Sequence, residues 1–297
     1  MIGIPFTIID AQSFGRYDLR RYNVTIVPPL RGSLRDVLGG RGESLAAWVR
    51  QGGTLIAIGG AADALASEEV GVSSVRRRRD ILDDLEVYRE SAGRQRAAEA
   101  EIKVDLRALW GERAPAVGPH PSAQASAPRE AASGGFGSER GRGKPRRGDG
   151  AGGEGVPRSG GGGEGALARR DEWLQRFSPS GAILRTQVDT EAWIAFGCKK
   201  QLPVMFGRDT VLMARHADQV PVRFSLSGLR LSGLLWPEAA ERIELGAYLV
   251  TEGVGAGQVI LFADSPVFRG FFPATGRLLS NAVAYGPSLG ASQPARW

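Results

Sequence analysis

The stretch TLIAIGGAADAL, residues 54–65, has the pattern of a buried strand, a sharp turn and the start of a helix. In many α/β enzymes such a corner carries a serine or cysteine nucleophile and aims backbone N–H groups at an oxyanion. Here the turn consists of Gly59, Gly60 and Ala61. Acyl transfer at this corner would have no attacking atom, so we expect the bend without the reaction.

The other side chains that support catalysis are scarce. The two histidines, His120 and His216, belong to no HxxE or HExxH pattern, so we expect no metal site. Cys198 is the single cysteine, which excludes an intrachain disulfide and a thiolate zinc cluster. We interpret it as a small half-buried residue rather than as half of a Cys198–His216 catalytic couple.

Nucleotide-binding motifs are also missing or poorly matched. IAIGGAADAL fits the GxGxxG pattern of dinucleotide-binding proteins poorly, because its two glycines are adjacent. No GxxxxGK[ST] phosphate-binding loop occurs. We therefore expect no cofactor.

Composition indicates a globular protein without a strong functional bias. The 297 residues are 42% hydrophobic, which is enough for one large or two small packed domains. Lys and Arg number 38 against 32 Asp and Glu, and this excess permits attraction to polyanions without requiring it. The amino terminus does not read as a signal peptide, and no apolar run approaches the ~20 residues that span a bilayer. Localisation is left open.

The elements that must position the corner alternate as in α/β domains. Residues 4–10, 23–29 and 54–60 are β-rich runs, and residues 43–53 form a helical pattern that ends at glycine. A helix over residues 61–69 follows the corner. Strand, helix, strand in this spacing predicts a parallel, right-handed crossover.

Beyond the corner, VRRRRDILDD opens a long, charge-laced helical pattern. Arg79 and Asp83 lie one helical turn apart and can pair. We interpret the arginine run as a solvated helix start in preference to a nucleic-acid patch.

Composition divides the chain into residues 1–110, 111–165 and 166–290. The middle segment is rich in Gly, Arg and Pro and is predicted to be a disordered insert, since it cannot bury enough apolar surface to offset the entropy of ordering. Its RGRGKPRRG core resembles RNA-binding tracts, but Phe136 is the one aromatic residue there to stack on bases. An inserted loop is favoured over a binding arm.

The last part of the chain reads as short strands with frequent turns between helices. GAILRTQVD, LPVMFG, TVLMA and VRFSLSG predict strands, and Pro237 opens a helix in PEAAERI. AYLVTEGVGAGQVILFAD predicts two strands joined by a Gly-rich hairpin. GRLLSNAVAYG predicts a closing amphipathic helix.

Several of these stretches together resemble a known domain family. SGAILRTQVDTEAWIAFG, SGLLWPE and above all GAGQVILFADSPVFRGFFPATGRLLSNAVAYGP look like the glutamine amidotransferase-like domain that follows the catalytic domain in bacterial zinc carboxypeptidases of the carboxypeptidase A-like group. GIPFTIID and WVRQGGTLIAIGGAA fit the same domain. The resemblance covers nearly everything except the insert, and residues 257–281 are its most specific part. It implies a class I glutamine amidotransferase-like, flavodoxin-like three-layer α/β fold.

The chain departs from that family where catalysis would occur. Class I amidotransferases carry a cysteine in the elbow and a His-x-Glu late in the domain, whereas this chain has Gly59-Gly60-Ala61 and a late strand ending LFADSP. The zinc ligands and catalytic glutamate of the peptidase would lie in a preceding domain. The fold also normally begins with a strand and helix before GIPFTIID, so we expect a fragment whose sheet has an unfilled slot.

The resulting expectation is a non-catalytic accessory module, without catalytic or metal-binding residues, associated with a peptidase domain in a protein whose relatives are extracytoplasmic. One alternative is a stand-alone protein that binds a small anion or a partner, with Gly59 and Gly60 as anion contacts. Another is an enzyme built on Asp264, Arg269 or Asp63, although Asp264 and Arg269 are expected to pair and fix a turn. Nucleic-acid binding by the insert is the weakest alternative.

Overall fold

The computed structural model describes residues 4–30, 34–38, 40–67, 71–81, 164–244 and 246–290. All of them belong to one compact unit formed by residues 1–100 and 159–297. The predicted insert, except its last two residues, and the helical pattern beyond Ile81 lie outside the described residues. The division at residues 110 and 165 therefore stays a prediction.

The described chain has a mixed α/β fold built on one mixed sheet, which confirms the expected α/β class. The main path of the sheet follows the order β1-β2-β10-β9-β7-β4-β5, with three short strands attached beside it. The ten strands are β1 (Val24–Val27), β2 (Thr54–Ile58), β3 (Arg76–Arg77), β4 (Ala182–Val188), β5 (Gln201–Phe206), β6 (Leu212–Met213), β7 (Val222–Phe224), β8 (Arg230–Ser232), β9 (Ala247–Val254) and β10 (Gly257–Phe262).

The sheet is parallel at one end and antiparallel at the other. β2 lies parallel to both β1 and β10, with Thr54 opposite Val24 on one side and Gln258 on the other. The pairs β10–β9, β9–β7, β7–β4 and β4–β5 are antiparallel. The predicted Gly-rich hairpin is confirmed, since β9 and β10 pair around a turn at Gly255 and Ala256.

Seven α-helices are described. They are α1 (Leu34–Leu38), α2 (Gly42–Arg50), α3 (Gly60–Ala66), α4 (Arg78–Ile81), α5 (Glu164–Gln175), α6 (Pro237–Ile243) and α7 (Pro273–Tyr285). The helices predicted before β2, after the corner, at Pro237 and near the end of the chain are therefore confirmed. α2 buries Leu45, Trp48 and Val49, as its apolar face predicts.

The core lies along the centre of the sheet. Every residue of β2 and of β10 is buried, as expected for strands covered on both faces. Four aromatic rings continue the core into the antiparallel part in successive edge-to-face contacts, namely Phe206, Phe224, Tyr248 and Phe262.

One sequence expectation is wrong and another holds only in part. Residues 4–10 form no strand, because no described strand pairs with them, and Phe6 and Ile8 are exposed. The arginine run does begin a helix, α4 at Arg78, but Arg76 and Arg77 form β3 and the first three arginines of the run are half-buried rather than solvated. Arg77 binds Asp80, and Arg78 contacts the buried Asp171 at 3.3 Å, because α5 brings a carboxylate to the run.

The described strands of the main path follow one another without a gap, and β1 and β5 are the strands at its two ends. The slot expected inside the sheet is therefore not found between the described strands.

Candidate functional site at the carboxyl end of the parallel strands

The corner after β2 lies at the edge of the sheet where the parallel strands end. β2 and β10 are parallel and in register, so their carboxyl ends meet there. The backbone N–H of Gly59 donates to the carbonyl of Phe262, the last residue of β10, at 2.8 Å. The corner is thus held to the end of the neighbouring strand, and α3 starts one residue later.

The turn itself has the geometry of an elbow. Gly59 has φ 59° and ψ −118°, a conformation that costs a residue with a side chain about 1–3 kcal/mol. A Cβ on Gly60 would lie 2.7 Å from the carbonyl oxygen of Leu30. Ala61 is fully buried. The three residues therefore keep the bend while none of them presents a reactive atom.

Arg208 lies over this corner and was missed by the sequence analysis. Its guanidinium nitrogens would be 3.2 Å from a Cβ on Gly59 and 3.1 Å from a Cβ on Gly60. Its Nε is buried and has no hydrogen-bond partner among the described residues. The arrangement places a half-buried positive charge against bare backbone.

Asp264 follows β10 at the same edge of the sheet. Its carboxylate accepts hydrogen bonds from the backbone N–H of Gly207 at 2.9 Å and of Ser265 at 2.7 Å. These bonds attach the loop that carries Arg208 to the end of β10. Asp264 thus holds the loop that presents the guanidinium.

The predicted pair between Asp264 and Arg269 is wrong. No ion pair joins them among the described contacts, and Arg269 is exposed, with its guanidinium 5.2 Å from the centre of the Phe268 ring. Arg269 also has φ 49°, a left-handed conformation that is uncommon for a residue other than glycine. The turn is fixed by backbone hydrogen bonds to the Asp264 carboxylate instead.

Two further polar groups are close to this edge. Asp63, on α3, accepts a hydrogen bond from the Thr210 hydroxyl at 2.9 Å and lies 4.0 Å from Arg77. Tyr248 is fully buried, and its hydroxyl has no hydrogen-bond partner within the described ranges. Burial, with Asp264 nearby, strongly raises the pKa of Tyr248, so its hydroxyl stays protonated.

Cys198 and His216 lie on separate elements. Cys198 follows the turn Trp193–Ala195, and its Sγ is 3.9 Å from the carbonyl oxygen of Ala274. Burial raises the pKa of this thiol, which lowers its thiolate fraction at neutral pH. His216 precedes the turn Ala217–Gln219 and is exposed. His120 lies outside the described residues.

Comparison with protein-family models, with curated proteins and with solved structures found no match for this chain.

The described residues contain no group of three His, Cys, Asp or Glu side chains that could hold a metal ion. Within the same ranges, no helix has the length and apolar character needed to cross a membrane. The candidate site consists of the backbone elbow at Gly59 and Gly60, the guanidinium of Arg208, and the carboxylate of Asp264, which positions the loop that carries Arg208.

Proposed function

We propose that this chain is a non-catalytic accessory module of the zinc-carboxypeptidase type, with a class I glutamine amidotransferase-like, flavodoxin-like three-layer fold. The observation that carries the proposal is the elbow: its bend is kept, its residues lack a nucleophile, and Arg208 and Leu30 occupy the space where side chains of Gly59 and Gly60 would extend. Such a corner supports packing or partner binding and offers no route to acyl transfer.

A peptidase assay tests the absence of catalysis. Purified protein is incubated with a panel of peptides, with and without zinc, and hydrolysis is followed by mass spectrometry. We expect no cleavage above the rate in buffer alone, because the elbow supplies no attacking group. Cleavage that disappears in the Asp264→Ala variant would show that the chain is an enzyme and would overturn the proposal.

The accessory role is tested by the mass of the native product. An antibody against residues 257–281 is used to detect it in extracts of the source cell. A product much larger than 31.6 kDa that also contains a peptidase sequence, as read by mass spectrometry, supports the proposal. A product of 31.6 kDa that does not co-purify with a peptidase contradicts it.

Arg208 favours a second candidate function, the binding of a small anion such as phosphate. Arg208 has no carboxylate partner among the described residues, and a guanidinium in that state favours negative charge, with phosphate matching its geometry. The bare backbone of Gly59 and Gly60 would leave room for the anion to approach. This candidate depends on the Arg208 charge, since a helix as short as α3 contributes little on its own.

Thermal unfolding in inorganic phosphate tests this candidate. We expect phosphate to raise the melting temperature of the native protein. At a phosphate concentration of about a hundred times Kd, binding should stabilise the folded state by about 2.7 kcal/mol. Arg208→Gln should abolish the shift, whereas Arg230→Gln, at an exposed position on β8, should keep it. No shift in the native protein, or an equal shift in both variants, contradicts anion binding at the elbow.

A further inference from the structure

β1 is an edge strand with an open side. It pairs with β2 along one edge, and no described strand pairs with the other. Its four residues are Val, Thr, Ile and Val, so it carries no charge that would discourage pairing. An edge of this kind offers a row of backbone N–H and C=O groups to another extended chain.

A groove of about 410 Å³ lies beside this edge. Its walls come from β1, from Leu34 and Leu38 of α1, and from Ile8 and Ile9 of the amino-terminal segment. None of the described residues that line it is charged. A groove with these walls accepts apolar side chains and excludes charged ones.

Exposed apolar side chains lie in the groove walls and on the chain segment that directly precedes them. Phe6 is 83% exposed and Ile8 is 82% exposed, while Ile4 and Ile26 are exposed to 41% and 44%. The segment that carries Phe6 and Ile8 is rich in β-forming residues but pairs with no described strand. A contiguous apolar surface of this kind marks an interaction site.

We propose that this surface binds a second copy of the same chain. The two β1 strands pair antiparallel across a two-fold axis, and Phe6 and Ile8 of each copy enter the groove of the other. A two-fold interface must be self-complementary, and here the protruding side chains and the groove that can take them lie on the same surface. The ladder ends at Pro28, which has no N–H to donate.

Charge and area favour a second copy as the occupant. Neither β1 nor the described lining of the groove carries a charge, so these parts of two copies meet without like-charge repulsion. A standard interface buries about 800 Å² on each partner. Phe6, which is 83% exposed, contributes most of the about 150–250 Å² that an aromatic side chain buries when fully covered, and the three exposed isoleucines and the groove walls add to that area.

Sedimentation velocity from nanomolar to high micromolar protein concentration tests the proposal. We expect the native protein to dimerise. Ile26→Lys places two ammonium groups beside each other across the axis and should raise the dissociation constant by about 100-fold or more. Phe6→Asp should also raise the dissociation constant of the dimer. Leu234→Lys changes a leucine that is 67% exposed elsewhere on the surface and should leave the dimer intact.

Disulfide cross-linking checks that the contact is edge to edge. In a Cys198→Ser background, Ile26→Cys should form a covalent dimer under mild oxidation, and Leu234→Cys should not. A native protein that remains monomeric at the highest concentration overturns the proposal. So does a dimer that both Ile26→Lys and Phe6→Asp leave unchanged while each variant keeps its native melting temperature. These readouts are independent of the elbow, so they succeed or fail separately from the proposed function.

Discussion

Replacing Gly257 with alanine is expected to lower the free energy of unfolding by about 3 kcal/mol, the upper end of the usual cost of overpacking. Gly257 begins β10, where the strand passes directly beneath the end of α2 and the turn that follows it. A Cβ at this position would collide with the carbonyl oxygens of Val49 and Gly53. Both obstacles are backbone atoms, so neither can move aside without displacing α2 from the central strands.

Gly253→Ala is the matched control for this substitution. Gly253 lies on β9 and pairs with Gln258, yet a Cβ there would have no atom within 4 Å. We expect this control to be neutral or to stabilise the protein by up to about 1 kcal/mol, since alanine restricts the unfolded chain more than glycine does. Urea unfolding followed by circular dichroism measures both changes. Equal midpoints for the two variants would contradict the close approach at Gly257.

The sequence predicted best those elements whose signals are local. β2 is a continuous apolar run of strand length, and α2 combines an apolar face with Gly52 just after it, where φ is 117°. The hairpin turn is marked by Gly255, which adopts φ 64°. Each of these signals lies within a few residues of the structure that it specifies.

The sequence failed where the deciding partner is distant along the chain. Residues 4–10 have strand-forming side chains, but a strand also needs a neighbour to pair with, and local propensity does not report one. The run at Arg77 and Arg78 looks like a solvated surface until α5 supplies Asp171, more than ninety residues later. Charge patterning alone could not reveal that carboxylate.

The candidate site also combines features with local signals and a feature whose partner is distant along the chain. The elbow was predicted from the strand, the two glycines and the start of a helix, which are consecutive in the sequence. Arg208 could not be predicted, because it reaches Gly59 and Gly60 through a loop about 150 residues away along the chain. The one available signal was a glycine-arginine pair directly after a strand, and that pattern is too common to indicate a site.

Asp171→Asn is expected to be the most damaging change of a charged residue in the described chain. Asp171 is 3% exposed, and its carboxylate contacts Arg242 at 3.1 and 3.2 Å and Arg78 at 3.3 Å. Arg242 also donates to the carbonyl of Asp209, and Arg78 donates to that of Arg242 at 2.8 Å. Removing the carboxylate takes away the negative charge that lies against both guanidinium groups in this buried site.

We expect this substitution to lower the free energy of unfolding by about 3–5 kcal/mol, the usual cost of removing one partner of a buried ion pair. Asp18→Asn is the control, because the Asp18–Arg20 pair has the same chemistry on an exposed surface and should contribute nothing measurable. Chemical unfolding of the two variants gives the comparison. Asp171→Asn with native stability would show that the arginines find other partners, and the cluster would then lose its assigned role.

A triple variant separates the cost of uncompensated charge from the loss of packing. Asp171→Leu, Arg78→Met and Arg242→Met together remove these three charges while keeping similar volume, and such replacements are often neutral or stabilising. We expect the triple variant to be clearly more stable than Asp171→Asn. If it is equally unstable, packing rather than charge governs this cluster. The distinction matters for the fold because Arg78 precedes residues 82–163 and Asp171 follows them, so this cluster joins the two parts of the chain that build the sheet.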